Sequence, residues 1–321
     1  MKAARSLTSR EVVVEELPDP APGPGEVVCR VLACGVCGSD VSETYVSRKL
    51  PAVLGHEVVG EVLETGAGVA GIAAGDRVVI HHHAPCGACR RCRRGHETLC
   101  EQFRATALDP GGFSERVRIA APLVGELLQL GAVDPVAGTF VEPLGCVLRA
   151  LDRAGLRPGD ALLVVGAGSN GLLAVAAAHA RAVEAVWVRE PREARRRLAE
   201  RLGAADHADE PVDVAFVTTP DARAIAGAAA ALAPGGTLCL YATTGPGVPV
   251  GVDTEQLFLR ELTVCSSWSA GPADMRAAHE LIGSGRVDVL PLVTHRLALD
   301  ETARALDLQR RGEALKAVVL P

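Results

Sequence analysis

Aromatic residues are scarce in this sequence. They make up 3% of its 321 residues, with two Trp, two Tyr and five Phe. Flat aromatic faces are the usual stacking platforms for a sugar ring, so a carbohydrate substrate would find few of them here.

Long apolar runs and an excess of positive charge are missing as well. The longest apolar stretch, from Ala161 to Ala182, is broken by glycines and by polar residues such as Ser169 and His179, and no apolar signal core precedes Pro18. The net charge is −6 and the pI is about 5.9, so no nucleic-acid-binding surface is expected. The sequence predicts a soluble, cytoplasmic protein that acts on a small molecule, without a nucleic-acid or membrane partner.

Four of the ten cysteines lie close together in the sequence. They are Cys86, Cys89, Cys92 and Cys100. Four thiolates at this spacing match the closed tetrahedral coordination of a structural Zn²⁺. Disulfide bonds are the alternative, but a chain of this length without an export signal more often keeps its thiols reduced.

This cluster has two other possible interpretations. A zinc ribbon that binds nucleic acid normally has two separated cysteine pairs with a hairpin between them. The neighbouring histidines are also potential ligands, but four thiolates already complete the coordination, so we interpret them as loop residues: His81, His82, His83 and His96.

A second set of residues has the chemistry of an open, catalytic zinc site. Cys37 and the sequence Gly-His-Glu at 55–57 supply a thiolate, an imidazole and a carboxylate, and Glu142 adds a second carboxylate. Cys34 and Cys37 form a Cys-x-x-Cys pair like that of thioredoxins, but they do not follow the first strand of a βαβ pattern. We therefore take Cys37 as a candidate ligand and Cys34 as a buried structural residue.

The pattern of apolar residues changes near Glu142. Before about Phe140, valine-rich runs separated by Gly and Pro indicate short strands joined by turns. Beyond it, apolar strands alternate with alanine-rich helices, which predicts an α/β region with a doubly wound parallel sheet. The predicted strands are 161–165, 185–188, 212–217, 237–241 and 262–265, and the predicted helices are 171–181, 191–202 and 221–232. A helix at 273–284 and a strand at 316–320 are expected to pack on the first region.

A Gly-x-Gly-x-x-Gly sequence lies between the first strand and helix of the α/β region. It consists of Gly166, Gly168 and Gly171, with Ser169 and Asn170 between the last two. The glycines permit a tight turn, and the helix N-terminus offers free N–H groups to a pyrophosphate. A glycine-rich turn with no ligand is the alternative.

The residues after the next predicted strand bear on the choice of cofactor. Glu190 lies where an acidic residue hydrogen-bonds the adenosine ribose of NAD. Arg189, Arg192 and Arg195 could instead receive the extra phosphate of NADP; otherwise we interpret them as a solvated helix face or a surface that stacks on the adenine. We favour NAD because Glu190 would repel that phosphate, and NADP remains the alternative.

Taken in order, these motifs resemble the zinc-dependent medium-chain alcohol dehydrogenase family over nearly the whole chain. The similarity is greatest to its polyol (sorbitol) and threonine dehydrogenase branch, which has Gly-His-Glu and Glu-Pro-Leu at these places. The resemblance implies a GroES-like, mainly β catalytic domain at 1–143 and 269–321, with a Rossmann NAD(P)-binding domain at 144–268. It also implies two Zn²⁺ ions per chain.

The resemblance further implies roles for individual residues. Cys37, His56 and Glu57 would ligate the catalytic zinc, and Glu142 would be a further ligand or the partner of zinc-bound water. Ser39 would contact the substrate hydroxyl and pass its proton outward, while a hydride leaves the carbinol carbon for the nicotinamide ring.

Several further positions follow from the resemblance. Lys316 would reach the pyrophosphate of the cofactor, and Tyr45 and Trp268 would lie near the pocket. Ser42 stands where many members have a histidine that relays the proton to solvent. The segment from Val41 to Leu54, which borders the substrate pocket in the family, is shorter than in the polyol branch.

These features predict an oxidoreductase that transfers a hydride between NAD and a secondary alcohol or ketone of a polyol, sugar, cyclitol or amino alcohol. An NADPH-dependent carbonyl or imine reductase of a biosynthetic pathway is the second hypothesis. A catalytically silent, zinc-stabilised nucleotide-binding protein is the third, disfavoured because it would not need a full set of catalytic ligands. A homodimer or homotetramer formed through an edge strand near 257–264 is expected.

Overall fold

The chain divides into two compact units. The computed structural model describes residues 1–183, 185–206, 210–251 and 253–321. The first unit comprises Met1–Pro143, Gly271–Gly283 and Val289–Pro321, and the second comprises Leu144–Ala270 and Ser284–Asp288. Within the described ranges, no helix has the length and apolar character that crossing a membrane requires. A catalytic role for the first unit and nucleotide binding by the second stay predictions.

The strands are numerous and short. In the described residues they are β1 (Lys2–Ser6), β2 (Val12–Glu16), β3 (Val27–Gly35), β4 (Ala52–Val53), β5 (Glu57–Thr65), β6 (Arg77–Ile80), β7 (Arg116–Ile119), β8 (Leu128–Gln129), β9 (Ala161–Val165), β10 (Ala185–Arg189), β11 (Ala205–Asp206), β12 (Val212–Val217), β13 (Leu232–Leu240), β14 (Thr263–Ser266), β15 (His295–Ala298) and β16 (Ala317–Leu320).

The helices of the first half of the chain are short, apart from Val141–Arg153, and most of the longer helices lie in the second half. The described helices are α1 (Glu43–Val46), α2 (Glu101–Ala105), α3 (Ala121–Val124), α4 (Pro135–Gly138), α5 (Val141–Arg153), α6 (Ser169–Ala180), α7 (Glu193–Arg201), α8 (Ala222–Ala230), α9 (Thr254–Leu259), α10 (Pro272–Gly283) and α11 (Thr302–Arg311). Short 3₁₀ turns span Gly38–Val41, Cys92–Arg94, Glu97–Leu99, Leu290–Leu292 and Leu299–Glu301.

The first unit is built on a mainly antiparallel sheet. Its strand order is β15-β16-β3-β5-β6-β8, with β7 also paired to β3, and a second small sheet has the order β2-β1-β4. Strands β3 and β5 run antiparallel with Gly35 opposite Glu57, and β16 pairs with the end of β3, with Val318 opposite Gly35. Chain segments from positions near 35, 57 and 316 therefore meet at one place.

The second unit is a parallel sheet with helices between its strands. The strand order is β11-β10-β9-β12-β13-β14, and every neighbouring pair is parallel. Strand β9 is nearly continuous apolar sequence with four of its five residues buried, as expected for a strand covered on both faces. The order reverses at β9, which is the switch point where such sheets bind ligands. The doubly wound sheet predicted from the sequence is confirmed.

Candidate metal centres and cofactor loop

The four clustered cysteines converge in the structure. The ligand atoms of Cys86, Cys89, Cys92 and Cys100 all lie within 4.8 Å of one another. The Sγ of Cys92 is 3.5 Å from that of Cys89 and 4.0 Å from that of Cys86. Sulfur ligands about 2.3 Å from a tetrahedral zinc lie roughly 3.8 Å apart, so the cluster fits a structural zinc.

The protonation of these thiols also suits a cation. Burial raises the pKa of Cys100, but backbone N–H donors from Cys86 and Phe103 outweigh it and bring the pKa to about 6. Burial and the neighbouring thiols instead raise the pKa of Cys92 to about 12. Four thiolates this close would repel one another, so a bound cation is what would allow all four to be ionised.

A second cluster forms where β3 and β5 end. Ligand atoms of Cys37, His56 and Glu57 lie within 4.8 Å of one another. Cys37 follows β3 and precedes a 3₁₀ turn, whereas His56 and Glu57 stand at the start of β5. A soft thiolate, an imidazole and a carboxylate form the donor set of an open zinc site.

Asp40 supports this second cluster, and sequence analysis did not single it out. Its Oδ2 accepts a hydrogen bond from the backbone N–H of Cys37 at 3.0 Å, and its Oδ1 lies 3.5 Å from Nδ1 of His56. Burial lowers the pKa of His56, but the Asp40 carboxylate outweighs it and holds the pKa well above its usual range. A carboxylate on one ring nitrogen orients the other nitrogen toward a metal. The only sequence signal was the spacing Cys-x-x-Asp.

Glu57 is buried, and only one of its two carboxylate oxygens has a partner. Its side chain is 1% exposed, Oε2 is paired with the ammonium of Lys316, and Oε1 is buried without a hydrogen-bond partner. The packing is tight, because a Cβ on Gly35 would lie 2.0 Å from Oε2. A buried carboxylate oxygen without a hydrogen-bond partner is available to bind a metal ion, so this cluster also fits zinc.

Lys316 has a buried partner that was not predicted from the sequence. It is 3% exposed, with its ammonium against Glu57 and 5.3 Å from the ring centroid of Phe140. Burial lowers the pKa of Lys316, but the charge of Glu57 outweighs it and raises the pKa. The structure therefore gives the ammonium a carboxylate partner, and its contact with a pyrophosphate stays a prediction.

The roles predicted for Glu142 and Ser39 at this cluster stay predictions. Glu142 is buried in the first turn of α5, and its charge helps to raise the pKa of Lys316. Among the described residues it is not part of the group whose ligand atoms lie within 4.8 Å of one another. Ser39 is half-buried in the 3₁₀ turn after Cys37, and Ser42 follows that turn at the surface.

Three consecutive histidines follow β6 and line the same region. His81, His82 and His83 are each at most 9% exposed, and the His82 ring centroid lies 4.8 Å from that of His56. His83 Nδ1 contacts the carbonyl of Thr106 at 2.9 Å, whereas Nδ1 of His82 is buried without a partner. Burial lowers the pKa of His81 to about 3 and that of His83 to about 4. These residues were predicted to be loop histidines, and the position of His82 beside His56 was not predicted.

The glycine-rich sequence forms the predicted turn between β9 and α6. Gly166 has a φ of +95°, and a Cβ on Gly171 would lie 1.9 Å from the carbonyl oxygen of Gly166. Both positions therefore require glycine. The Oγ of Ser169, at the start of α6, is buried without a hydrogen-bond partner. An unsatisfied hydroxyl beside a free helix N-terminus fits a bound pyrophosphate.

Glu190 lies beside this turn and stabilises it through hydrogen bonds. Its Oε2 accepts a hydrogen bond from the backbone N–H of Ala167 at 2.8 Å, and its Oε1 accepts one from that of Arg192 at 2.9 Å. Arg195 is close as well, with Nη1 3.9 Å from the position of a Cβ on Gly168. The acid and the arginines thus share one end of the sheet.

The chain is similar to known dehydrogenases. Residues 23–128 match the alcohol dehydrogenase GroES-like domain, and residues 171–284 match the zinc-binding dehydrogenase family. L-threonine 3-dehydrogenase of Pyrococcus abyssi is 33% identical over 95% of this chain and 94% of its own length. Sorbitol dehydrogenase of Bacillus subtilis is 30% identical over 100% of this chain and 97% of its own length.

A solved structure agrees with these sequence matches. A zinc-binding dehydrogenase of Sinorhizobium meliloti 1021 bound to NADP superposes with a TM-score of 0.90 and 28% identity, covering 100% of this chain and 99% of the other. Fold and site together define an oxidoreductase with a GroES-like and a Rossmann domain. The chain belongs to the zinc-binding alcohol dehydrogenase family, which confirms the resemblance and the fold class predicted from the sequence.

Proposed function

We propose that this protein oxidises a secondary alcohol of a polyol, sugar, cyclitol or amino alcohol, or reduces the matching ketone, with NAD as the hydride carrier. The observation that carries the proposal is the cluster of Cys37, His56 and Glu57, with a buried carboxylate oxygen still unsatisfied. The relatives named for threonine and sorbitol support the substrate class.

The first-unit residues would prepare the alcohol for oxidation. Cys37, His56 and Glu57 would hold a zinc ion, whose contribution is Lewis acidity that lowers the pKa of the substrate hydroxyl. Asp40 fixes the orientation of the His56 ring through its contact with Nδ1. Ser39, half-buried two residues after Cys37, would exchange its own proton for that of the substrate hydroxyl and so pass a proton outward.

The second-unit residues would bind the hydride carrier. The turn from Gly166 to Gly171 would receive the pyrophosphate, and the Ser169 hydroxyl would donate to it. NAD supplies a nicotinamide ring that takes up the hydride. Glu190, already held by two backbone N–H groups, would accept hydrogen bonds from the adenosine ribose and repel an added phosphate there.

Reduction of NAD⁺ and NADP⁺ by the purified, zinc-loaded protein tests this function. The substrates would be polyols, cyclitols, amino alcohols and simple secondary alcohols, with Glu57→Gln as the inactive control of nearly equal size. We expect turnover of at least one polyhydroxylated or amino alcohol, with the higher kcat/KM for NAD⁺. A preference for NADP⁺ would favour the NADPH-dependent reductase, which the NADP-bound relative also supports. Binding of both nucleotides without any turnover would favour a silent nucleotide-binding protein.

His82 would contribute to the choice of substrate. Its imidazole is buried beside His56 with Nδ1 unpartnered, and a neutral imidazole can donate a hydrogen bond to a hydroxyl next to the reacting carbon. We expect His82→Ala to lower kcat/KM for a vicinal diol by about tenfold, the value of one hydrogen bond. A simple secondary alcohol should be affected much less, and His82→Asn, which keeps an N–H donor, should recover part of the loss. Equal losses for both alcohols would show that His82 only supports the fold.

We further propose that the protein forms a homodimer or homotetramer through the β14 edge of the parallel sheet. Phe258 and Leu259 are 81% and 66% exposed, and Val264 and Trp268 in the same region are 41% and 45% exposed. An unpaired edge flanked by exposed apolar residues is suited to pairing with another copy. Light scattering should give two or four times the chain mass, and Phe258→Glu should lower it. A monomeric native protein would contradict the proposal.

A further inference from the structure

Two cysteines outside the metal and cofactor sites stand side by side. Cys239 on β13 and Cys265 on β14 are register partners in neighbouring parallel strands. Adjacent strands are about 4.8 Å apart, which lies within the range of roughly 4.4–6.8 Å between the Cα atoms of a disulfide. Register partners also project from the same face of a sheet, so the two side chains are neighbours on that face.

The two thiols differ in exposure and acidity. Cys239 is completely buried, with Sγ 3.6 Å from the carbonyl of Ala150, whereas Cys265 is partly exposed. The neighbouring Cys239 thiol lowers the pKa of Cys265, and the charge of Arg153 acts in the same direction against burial. The same contact raises the pKa of Cys239. Cys265 is thus suited to be the attacking thiolate and Cys239 the thiol that attacks second.

Arg153 is held in position to favour this thiolate. Its Nε donates a hydrogen bond to the carbonyl of Ser266, the residue after Cys265, at 2.7 Å. Cys29 provides the contrast, because burial raises its pKa to about 12 and its partners in the neighbouring strands are valines. A paired, partly exposed thiol beside a guanidinium differs from a cysteine that only fills the core.

We propose that Cys239 and Cys265 form an oxidant-reactive dithiol that a small-molecule disulfide converts reversibly to an intrachain disulfide. The Cys265 thiolate attacks one sulfur of the oxidant, forming a mixed disulfide and releasing one thiolate. The Cys239 thiol then loses its proton and attacks the Cys265 sulfur, which forms the Cys239–Cys265 bond and releases the second thiolate. The protein loses two electrons and two protons, and the oxidant is reduced to two thiols.

The disulfide would act on the edge of the parallel sheet. Closing it removes the thiol of Cys239 from the Ala150 carbonyl and ties β14 covalently to β13. Trp268 lies just beyond the end of β14 and is 45% exposed. Its fluorescence is therefore expected to report the change, and Trp268→Phe would show which part of the signal it contributes.

Treatment of the zinc-loaded protein with oxidised glutathione tests the proposal. Intact mass should fall by two hydrogen atoms, peptide mapping should find Cys239 linked to Cys265, and dithiothreitol should reverse both changes. The zinc content should stay constant, which separates this reaction from oxidation of the metal-binding cysteines. Cys239→Ser should stop at a glutathione adduct on Cys265, Cys265→Ser should not react at this site, and Cys29→Ser should react like the native protein.

Three outcomes would overturn the proposal. They are a stable glutathione adduct on native Cys265, a link between two chains through Cys265, and loss of zinc with the two thiols still free. If Cys239→Ser does not fold, alkylation of the native protein decides the question. Oxidised glutathione should then protect Cys239 and Cys265 together from labelling in the unfolded chain, and protection of only one of them would contradict the mechanism.

Discussion

Cys37→Ala is expected to abolish turnover while the fold survives. Cys37 supplies the only thiolate of the three-residue cluster, and its side chain lies outside the strands and is not fully buried. A catalytic metal contributes several kcal/mol to the barrier, and each ~1.4 kcal/mol is tenfold in rate, so we expect kcat/KM to fall roughly a thousandfold or more. Metal analysis should find one zinc per chain instead of two.

Cys29→Ala is the matched control for this variant. Cys29 lies on β3, the strand that precedes Cys37, but is completely buried in the core. Its loss should lower thermal stability while both zinc ions and turnover remain. Full activity of Cys37→Ala, or two zincs retained with no activity, would rule out the ligand role. The circular dichroism spectrum of both variants should match that of the native protein.

The difference between the two metal clusters shows what a sequence can predict. Cys86 to Cys100 lie within one loop, so their spacing already constrains the positions of the sulfur atoms. The second cluster joins residues next to the ends of two strands. Lys316, the ion-pair partner of Glu57, lies 259 positions away in the sequence. Only the antiparallel pairing of β3 with β5 and β16 brings them together. For this cluster, composition and spacing predicted the types of ligand. The contacts between residues that are distant in the sequence could be seen only in the fold.

The histidines after β6 show a second limit. A short run of histidines carries no periodicity, so the sequence gives no reason to place His82 against His56 rather than in solvent. Burial of these rings depends on the packing of Phe103, whose ring centroid lies 4.6 Å from that of His83. Such contacts are set by tertiary structure, and no local pattern encodes them.

The α/β region was more predictable because its elements are local and strongly patterned. The helix predicted at 221–232 is α8, Ala222–Ala230, and Asp221 caps it through hydrogen bonds to the backbone N–H groups of Arg223 and Ala224. The strand predicted at 237–241 begins earlier, since β13 starts at Leu232. The earlier start was not predicted because the strand contains Gly235 and Gly236. Glycine is unfavourable in the interior of a strand, except at a bulge or where another backbone approaches closely. Strand β11 has only two residues and was not predicted.

Lys316→Met is expected to destabilise the first unit strongly. The ammonium is the only cation paired with Glu57 in the described residues, and both side chains are almost completely buried. Removing one partner of a buried ion pair leaves an uncompensated charge, at a cost of about 3–5 kcal/mol. Denaturant unfolding of metal-free protein, followed by circular dichroism, should show this loss. In zinc-loaded protein the loss should be smaller, because Glu57 would then have a cation on its other oxygen.

The double variant Lys316→Met with Glu57→Gln separates charge from packing. If the loss arises from the unpaired carboxylate, neutralising Glu57 should recover most of it, and the two substitutions should be strongly non-additive. Additive losses, or a change below about 1 kcal/mol for Lys316→Met alone, would show that the pair contributes little. The same variants distinguish a role in stability from a role toward the cofactor. If the lysine also reaches the pyrophosphate, its removal should raise the Kd for NADH in a direct binding titration. The Kd should then stay raised in the double variant, even though the stability recovers.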